Sequence, residues 1–142
     1  MNNSNGIAIA NMAAGDTFAI SDSQIFPIQA IPGVTIANST GTVTKTAFVS
    51  NVTLGNNDQT NSGLLISGRT ADVTITNSSF HGLTSKIGAG IQVTSASKIS
   101  IINSTFVNNT APIGAGVALT SVNKTDLYTN KFTSNKAVKI DG

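Results

Sequence analysis

The chain has 142 residues, of which 39% are hydrophobic and 10% charged, with a net charge of +2 and no cysteine. This balance excludes a disordered chain, which combines low hydrophobicity with high net charge, and it excludes a disulfide scaffold. The lysines are scattered, without the dense basic stripe of a nucleic-acid-binding protein, and no apolar run approaches the length of a membrane span. We therefore expect one domain over 1–142, with no nucleic-acid partner and no transmembrane segment.

Five related segments follow one another along the chain. They are "FAISDSQI" (18–25), "GTVTKTAF" (41–48), "VTITNSSF" (73–80), "ISIINSTF" (99–106) and "TDLYTNKF" (125–132). Apolar residues alternate within each segment, which is the pattern of a β-strand with one buried face. Successive segments end 23, 32, 26 and 26 positions apart, and a period in the twenties is typical of a solenoid.

This repeat predicts the fold class. Each repeat holds at least two strand-like pieces and nothing helical, so we predict an all-β chain, a right-handed parallel β-helix of five to six coils of roughly 26 residues. Residues 1–40 would form irregular first coils and residues 41–142 regular ones. Equivalent residues of successive coils should stack, above all Phe48, Phe80, Phe106 and Phe132. Because no cap is visible at either end, we expect a piece of a longer solenoid, open to end-to-end self-association.

A glycine-containing element also repeats, since "SKIGAGIQV" (85–93) returns as "APIGAGVAL" (111–119), 26 positions later. Gly88 and Gly90, and equally Gly114 and Gly116, should let the chain turn tightly and approach the next coil. A second short strand is predicted after each such element, at 91–93, 117–119 and 138–140.

Polar segments between the strands are candidate contact loops. Asn56, Asn57, Asp58 and Gln59 lie in the 54–63 stretch of the longest repeat, whose composition suits an exposed loop. A neutral insertion is the alternative interpretation. We also expect loops at 81–86 and 107–112.

Residues able to do chemistry are sparse, and we predict no catalytic residue, no metal site and no cofactor. His81 is the only histidine and should lie in a surface turn. Asp72, in a turn, and Asp126, on an outward strand position, should not share a column of stacked residues, whereas polysaccharide-cleaving β-helices need clustered carboxylates. An enzyme is therefore disfavoured, although the chain could be the scaffold of a carbohydrate-active enzyme with its carboxylates elsewhere.

Two surface patterns leave further alternatives open. Outward threonine pairs, Thr42 with Thr44 and Thr74 with Thr76, could match an ice lattice, so an ice-binding solenoid is one alternative, and a filament-forming solenoid with open ends is another. Seven Asn-x-Ser/Thr sequons permit glycosylation, but asparagine also favours turns and can form amide ladders between stacked coils.

Two short motifs resemble those of the polymorphic outer membrane proteins of chlamydiae and related autotransporter passenger domains. Phe-x-x-Asn occurs at Phe48–Asn51, Phe106–Asn109 and Phe132–Asn135, and a glycine motif occurs at Gly88–Ile91 and Gly114–Val117. The resemblance implies a β-helical passenger, secreted or displayed on the cell surface at the outer membrane. It also implies a non-catalytic structural or adhesive role, with a host-cell receptor or a surface glycan as the partner. No signal peptide is visible at the start of this chain.

Overall fold

The computed structural model describes residues 6–27, 31–49 and 62–138, and every regular element in these ranges is a β-strand. The strands are β1 (Ile7–Ala10), β2 (Phe18–Ser21), β3 (Gln24–Ile25), β4 (Val34–Ala37), β5 (Thr40–Thr44), β6 (Ala47–Val49), β7 (Leu64–Ser67), β8 (Asp72–Thr76), β9 (Ser79–His81), β10 (Ile91–Val93), β11 (Ala96–Ile102), β12 (Thr105–Val107), β13 (Thr110–Ala111), β14 (Val117–Leu119), β15 (Val122–Tyr128), β16 (Lys131–Thr133) and β17 (Lys136–Ala137).

Three parallel sheets of five strands run along the molecule. Sheet A has the order β1-β4-β7-β10-β14, sheet B the order β2-β5-β8-β11-β15, and sheet C the order β3-β6-β9-β12-β16. Each turn of the chain contributes one strand to each of these sheets, so the described residues wind as a solenoid of five stacked rungs, or about four full turns. The predicted parallel β-helix with a repeat of about 26 residues is confirmed.

The predicted register is confirmed residue by residue. Phe48, Phe80, Phe106 and Phe132 are successive Cα partners in sheet C, with Ile25 below them. Val43 pairs with Ile75 in sheet B. Strands β1, β2 and β3 already follow the same layout, since they pair in parallel with β4, β5 and β6.

Inward side chains of the three sheets form one continuous core. Four aromatic rings share one column, and neighbouring rings lie nearly parallel, with centroids 4.7 Å apart for Phe48 and Phe80, 4.9 Å for Phe80 and Phe106, and 4.7 Å for Phe106 and Phe132. The rings of Phe48, Phe80 and Phe106 are fully buried. The ring spacing matches the distance between paired strands, so the register of sheet C sets the stack.

The strand of sheet B is followed by the same sharp corner in every rung. Its corner residues Asp22, Lys45, Asn77, Asn103 and Thr129 all have φ between 48° and 52°. Asparagine and aspartate tolerate this left-handed conformation better than other L-residues do. The rung shape therefore imposes the conformation even where lysine or threonine occupies the corner.

Two local expectations are wrong. The segments 81–86 and 107–112 are not projecting loops but stack on each other within the solenoid. Thr84 forms a parallel β-bridge with Thr110, and β13 pairs with β17. The second strand expected at 138–140 lies outside the described residues except for Val138. Ala137 stacks on Ala111, so Val138 lies level with Pro112, before the glycine turn, and is outside any strand.

Asp72 and His81 also lie elsewhere than expected, since both belong to strands. Asp72 begins β8 and His81 ends β9. The predicted separation of the two carboxylates is confirmed, because Asp72 pairs with Lys98 while Asp126 pairs with Ser100.

Candidate functional site

The asparagine of the Phe-x-x-Asn motif joins one rung to the next. Asn109 is fully buried, and its Nδ2 donates to the carbonyl oxygen of Phe80 at 3.0 Å. Its Oδ1 accepts from the backbone N–H of Leu83 at 3.0 Å. The backbone N–H of Asn109 itself donates to Oδ1 of Asn135 at 3.1 Å, and Nδ2 of Asn135 donates to the carbonyl oxygen of Phe106 at 2.8 Å. The motif thus satisfies backbone groups at a corner where the strands do not pair.

Leu83 shows what happens where the motif lacks its asparagine. It occupies the Asn109 column in the preceding rung and is almost fully buried. Its backbone N–H still finds a partner because Asn109 of the following rung supplies the acceptor. The predicted motif residue Asn51 lies outside the described residues.

A column of small polar side chains forms a second ladder, which sequence reasoning missed. The backbone N–H groups of Thr46, Ser78 and Ser104 donate to the side-chain oxygen of the next rung, at 3.3, 3.2 and 2.9 Å. Each hydroxyl donates in turn to the carbonyl oxygen two residues before it, as Ser104 does to Ile102 at 3.0 Å. These hydroxyls are buried, so they replace water as partners of the corner backbone.

The predicted glycines have two separate structural roles. Gly88 and Gly114 have φ of 59° and 60°, so they form left-handed turns as expected. Gly90 allows the next rung and the Phe106 ring to approach closely, because a Cβ there would clash with the carbonyl oxygen of Gly116 and lie 2.8 Å from the Phe106 ring. A Cβ on Gly116 would likewise lie 2.8 Å from the Phe132 ring.

The close-approach glycines belong to a longer column, which was also missed. The residue before each sheet A strand is a glycine: Gly6, Gly33, Gly63, Gly90 and Gly116. The column lies against the aromatic stack, since a Cβ on Gly63 would be 3.0 Å from the Phe80 ring. A recurring pattern of glycine, aliphatic, any residue, aliphatic, as in "GIAI", "GVTI", "GLLI", "GIQV" and "GVAL", is the sequence signal that could have revealed it.

Outward side chains of sheet B form the most varied surface. The threonine pairs stack in two rungs, and Oγ1 of Thr44 lies 3.2 Å from Oγ1 of Thr76. The following rungs replace threonine with Ser100 and Ile102, then with Asp126 and Tyr128. The repeated threonine pattern therefore covers only two of the five rungs.

Charged and aromatic side chains meet at the last two rungs of this face. Oδ2 of Asp126 lies 3.8 Å from Nζ of Lys98 and 3.9 Å from Nζ of Lys124. Tyr128 is 60% exposed and follows Asp126 on the outward side of β15. Such loose, partly exposed ion pairs contribute little to stability.

A surface cleft lies beside this group, at the corner between sheets A and B. It has a volume of about 360 Å³ and is lined by Arg69, Ser95, Ala96, Ser121, Val122 and Asn123. The chain has one residue more between Ile66 and Asp72 than between their partners Val93 and Lys98 in the next rung, and Arg69 lies in that longer turn. The lining offers one guanidinium, one amide and two hydroxyls.

Asparagine ladders exist at the sequon positions as well. Nδ2 of Asn103 donates to Oδ1 of Asn77 at 2.7 Å, and Nδ2 of Asn38 donates to Oδ1 of Asn11 at 3.1 Å. In "NSS" (77–79) and "NST" (103–105), the asparagine takes the left-handed conformation at the corner after sheet B. The serine that follows is buried in the hydroxyl ladder, and the third residue begins the next strand. The same arrangement holds at 38–40 and at 108–110, where Asn109 takes the place of the serine, so the β-helix geometry accounts for four of the sequons.

The predicted contact residues Asn56, Asn57, Asp58 and Gln59 lie outside the described residues. Among the described residues, no three His, Cys, Asp or Glu side chains are grouped closely enough to hold a metal ion. The same part of the chain contains no helix that is long and apolar enough to cross a membrane.

A family model described as a right-handed beta helix region matches residues 32–141. The chain belongs to the right-handed β-helix family. Comparisons with curated proteins and with solved structures gave no significant match. The match supports the handedness predicted for the β-helix, while the resemblance to chlamydial and autotransporter passengers stays a prediction.

Proposed function

We propose that this β-helix is a non-catalytic structural and adhesive segment of a secreted or cell-surface protein, similar in role to an autotransporter passenger. The use of the repeated residues supports this proposal. Phenylalanine, glycine, serine and asparagine columns all connect one rung to the next and face the interior or the corners. The side chains that remain to contact a ligand are therefore the outward ones, on a stiff solenoid with few charges.

The observation that carries the adhesive role is the cleft between sheets A and B. Its volume of about 360 Å³ is at the low end of the range for small-molecule sites. Arg69 and Asn123 can donate to oxygen atoms, and Ser95 and Ser121 can both donate and accept. Sugar hydroxyl and carboxylate groups need this combination of donors and acceptors. Tyr128 adds an exposed ring on the adjoining face of sheet B.

The proposed ligand is therefore a cell-surface glycan, preferably one with an acidic sugar that pairs with Arg69. Binding would be weak for one cleft, and a surface carrying many copies would bind by avidity. Residues 54–63 remain a second candidate contact, as the sequence suggests.

Binding to an immobilised glycan array, followed by titration of the best glycan, tests the proposal. Replacing Arg69 with glutamine and Asn123 with alanine should weaken binding at least tenfold. The matched control is Lys45→Gln, which removes another exposed cation, paired with Asp22 at 3.9 Å in the second rung. Binding unchanged by both cleft substitutions would reject the cleft. No binding to any glycan or to host cells would reject the adhesive role.

A further inference from the structure

We infer that the cleft takes an acidic oligosaccharide that lies along the solenoid axis, with one anionic group at Arg69 and a second at Lys124, two rungs further on. The inference rests on the proposed glycan binding and adds to it the direction of the ligand and the spacing of its charges. It is carried by the order of the rungs that line the cleft and by the ion pairs beside it.

Three successive turns line the cleft, one from each of three adjacent rungs. Arg69 comes from the turn before β8, Ser95 from the turn before β11, and Ser121 from the turn before β15. The three strands that follow these turns are neighbours in sheet B. Adjacent strands lie about 4.8 Å apart, so the cleft extends for about 10 Å along the solenoid axis.

A chain of linked sugars matches this spacing. Each pyranose ring advances a glycan by a distance close to one rung spacing, so three consecutive sugars span the three rungs. The hydroxyl of Ser95 lies at the middle rung, where it can donate to and accept from the hydroxyl groups of the second sugar. Acid groups carried by alternate sugars then lie at the two ends of the cleft.

The cations lie at the same two ends. Arg69 is at the third rung and forms no ion pair with a carboxylate of the described residues. Lys124 is at the fifth rung, two residues after Val122 of the cleft lining. A guanidinium and an ammonium so placed match two anionic groups on one ligand. Both side chains project sideways from the solenoid, so further rungs at either end would extend this row without covering it.

One carboxylate is shared by two lysines, and this leaves a cation available to a ligand. Lys98 and Lys124 are Cα partners on adjacent rungs, and their Nζ atoms lie 3.8 and 3.9 Å from the same Oδ2 of Asp126. The side chain of Lys124 is 65% exposed and that of Lys98 only 35%, so Lys124 is the freer of the two. When Lys124 turns to an anionic sugar, Lys98 remains beside Asp126. Binding therefore leaves no carboxylate without a cation.

The other charge at this corner is the carboxylate of Asp72, which begins β8. Asp72 is the Cα partner of Lys98, but the ammonium of Lys98 makes its ion pair with Asp126. The corner thus holds three cations and two carboxylates, which leaves a net charge of +1. This surplus favours an anionic ligand over a neutral one, and salt weakens the preference.

Titration calorimetry with three oligosaccharides of known charge pattern tests the inference. The hyaluronan tetrasaccharide carries a carboxylate on alternate sugars, the hyaluronan disaccharide carries one carboxylate, and chitotetraose is a neutral chain of four sugars. At low salt the tetrasaccharide should bind about tenfold more tightly than the disaccharide, because it makes one more charge-assisted contact. Chitotetraose should bind more weakly than the tetrasaccharide, and added sodium chloride should reduce the difference.

Substitutions at the two ends of the cleft locate the contacts. Arg69→Gln and Lys124→Gln should each lower the affinity for the tetrasaccharide to about that for the disaccharide. Asp126→Asn removes the carboxylate that competes for Lys124, so it should strengthen tetrasaccharide binding. The matched control is Lys131→Gln, which removes an exposed lysine of the same rung on sheet C and should bind like the wild type. Circular dichroism checks that each variant is folded.

The outcomes separate this inference from the proposed function. Chitotetraose binding as tightly as the hyaluronan tetrasaccharide would overturn the inference and leave glycan binding in place. Tetrasaccharide binding that is unchanged by Lys124→Gln, or no tighter than disaccharide binding, would do the same. Absence of binding to any glycan, acidic or neutral, would reject the proposed function together with the inference.

Discussion

Asn109 and Phe80, 29 positions apart, are joined by a hydrogen bond of 3.0 Å from Nδ2 to the carbonyl oxygen. The Phe-x-x-Asn motif is thus completed between rungs, because each asparagine binds the phenylalanine of the preceding rung and not its own. The repeated residues of this chain are therefore contacts between coils. The following substitutions measure how strong those contacts are.

Asn109→Leu should destabilise the fold by about 2–4 kcal/mol, because it leaves the Phe80 carbonyl and the Leu83 N–H buried without a partner. Chemical denaturation followed by circular dichroism measures this loss. Asn135→Leu is the matched control in the half-buried last rung, where water can replace the amide, and it should cost clearly less. Equal losses at the two positions would show that burial of the Asn109 hydrogen bonds does not determine the loss of unfolding free energy.

Ser104→Ala should cost about 1–3 kcal/mol, since it removes the acceptor of the Ser78 N–H inside the molecule. Thr46 occupies the same column, so Ser104→Thr keeps the hydroxyl and should lose less stability than Ser104→Ala. Amide exchange at Ser78 gives a second measure, with faster exchange expected for the alanine variant alone. An alanine variant as stable as the threonine variant would contradict the ladder.

Gly90→Ala should destabilise the fold by about 3 kcal/mol or more, because its Cβ would press on the Gly116 carbonyl and the Phe106 ring. Gly15→Ala is the control. Gly15 has φ of 93°, and nothing lies within 4 Å of the position that a Cβ would take there, so only backbone strain of about 1–2 kcal/mol is expected. Thermal unfolding of both variants compares the two costs. The close-approach account fails if Gly90→Ala is the milder substitution.

Phe106→Ala should cost about 3–5 kcal/mol, the usual range for deleting a buried aromatic ring. Phe132→Ala should cost much less in a monomeric sample, because that ring stacks on one neighbour only and is half exposed. Denaturant titration of both variants compares the two values. Similar losses would mean that exposure of the last rung is smaller in solution than in the structure.

The columns with chemically similar residues could be predicted from the sequence. Phe48, Phe80 and Phe106 recur in a strand pattern of period two, so their register and their burial follow from one alignment. The glycine column is harder to see, because Gly6, Gly33 and Gly63 lie 27 and 30 positions apart while the aligned repeat is 26. Connections of variable length, between sheets A and B in the first rung and between sheets C and A in the second, cause this drift.

Polar residues inside the solenoid are the main source of error in predicting this fold. Ser78, Ser104 and Asn109 resemble turn residues by composition, and composition alone predicts a loop at 107–112. In the structure, their side chains supply hydrogen-bond partners to backbone groups that strands cannot satisfy at corners. Local composition does not reveal such partners, because they lie one rung away. The cleft at Arg69 likewise depends on three successive turns and has no local signature.

The central claim is that stability comes from contacts between adjacent rungs. A double-mutant cycle with Phe80→Leu and Phe106→Leu tests it most directly, with Phe48→Leu and Phe106→Leu as the comparison two rungs apart. The account predicts a coupling free energy of about 0.5–1.5 kcal/mol for the adjacent, stacked pair and a value near zero for the separated pair. Equal coupling in both cycles, or none in the adjacent one, would contradict it.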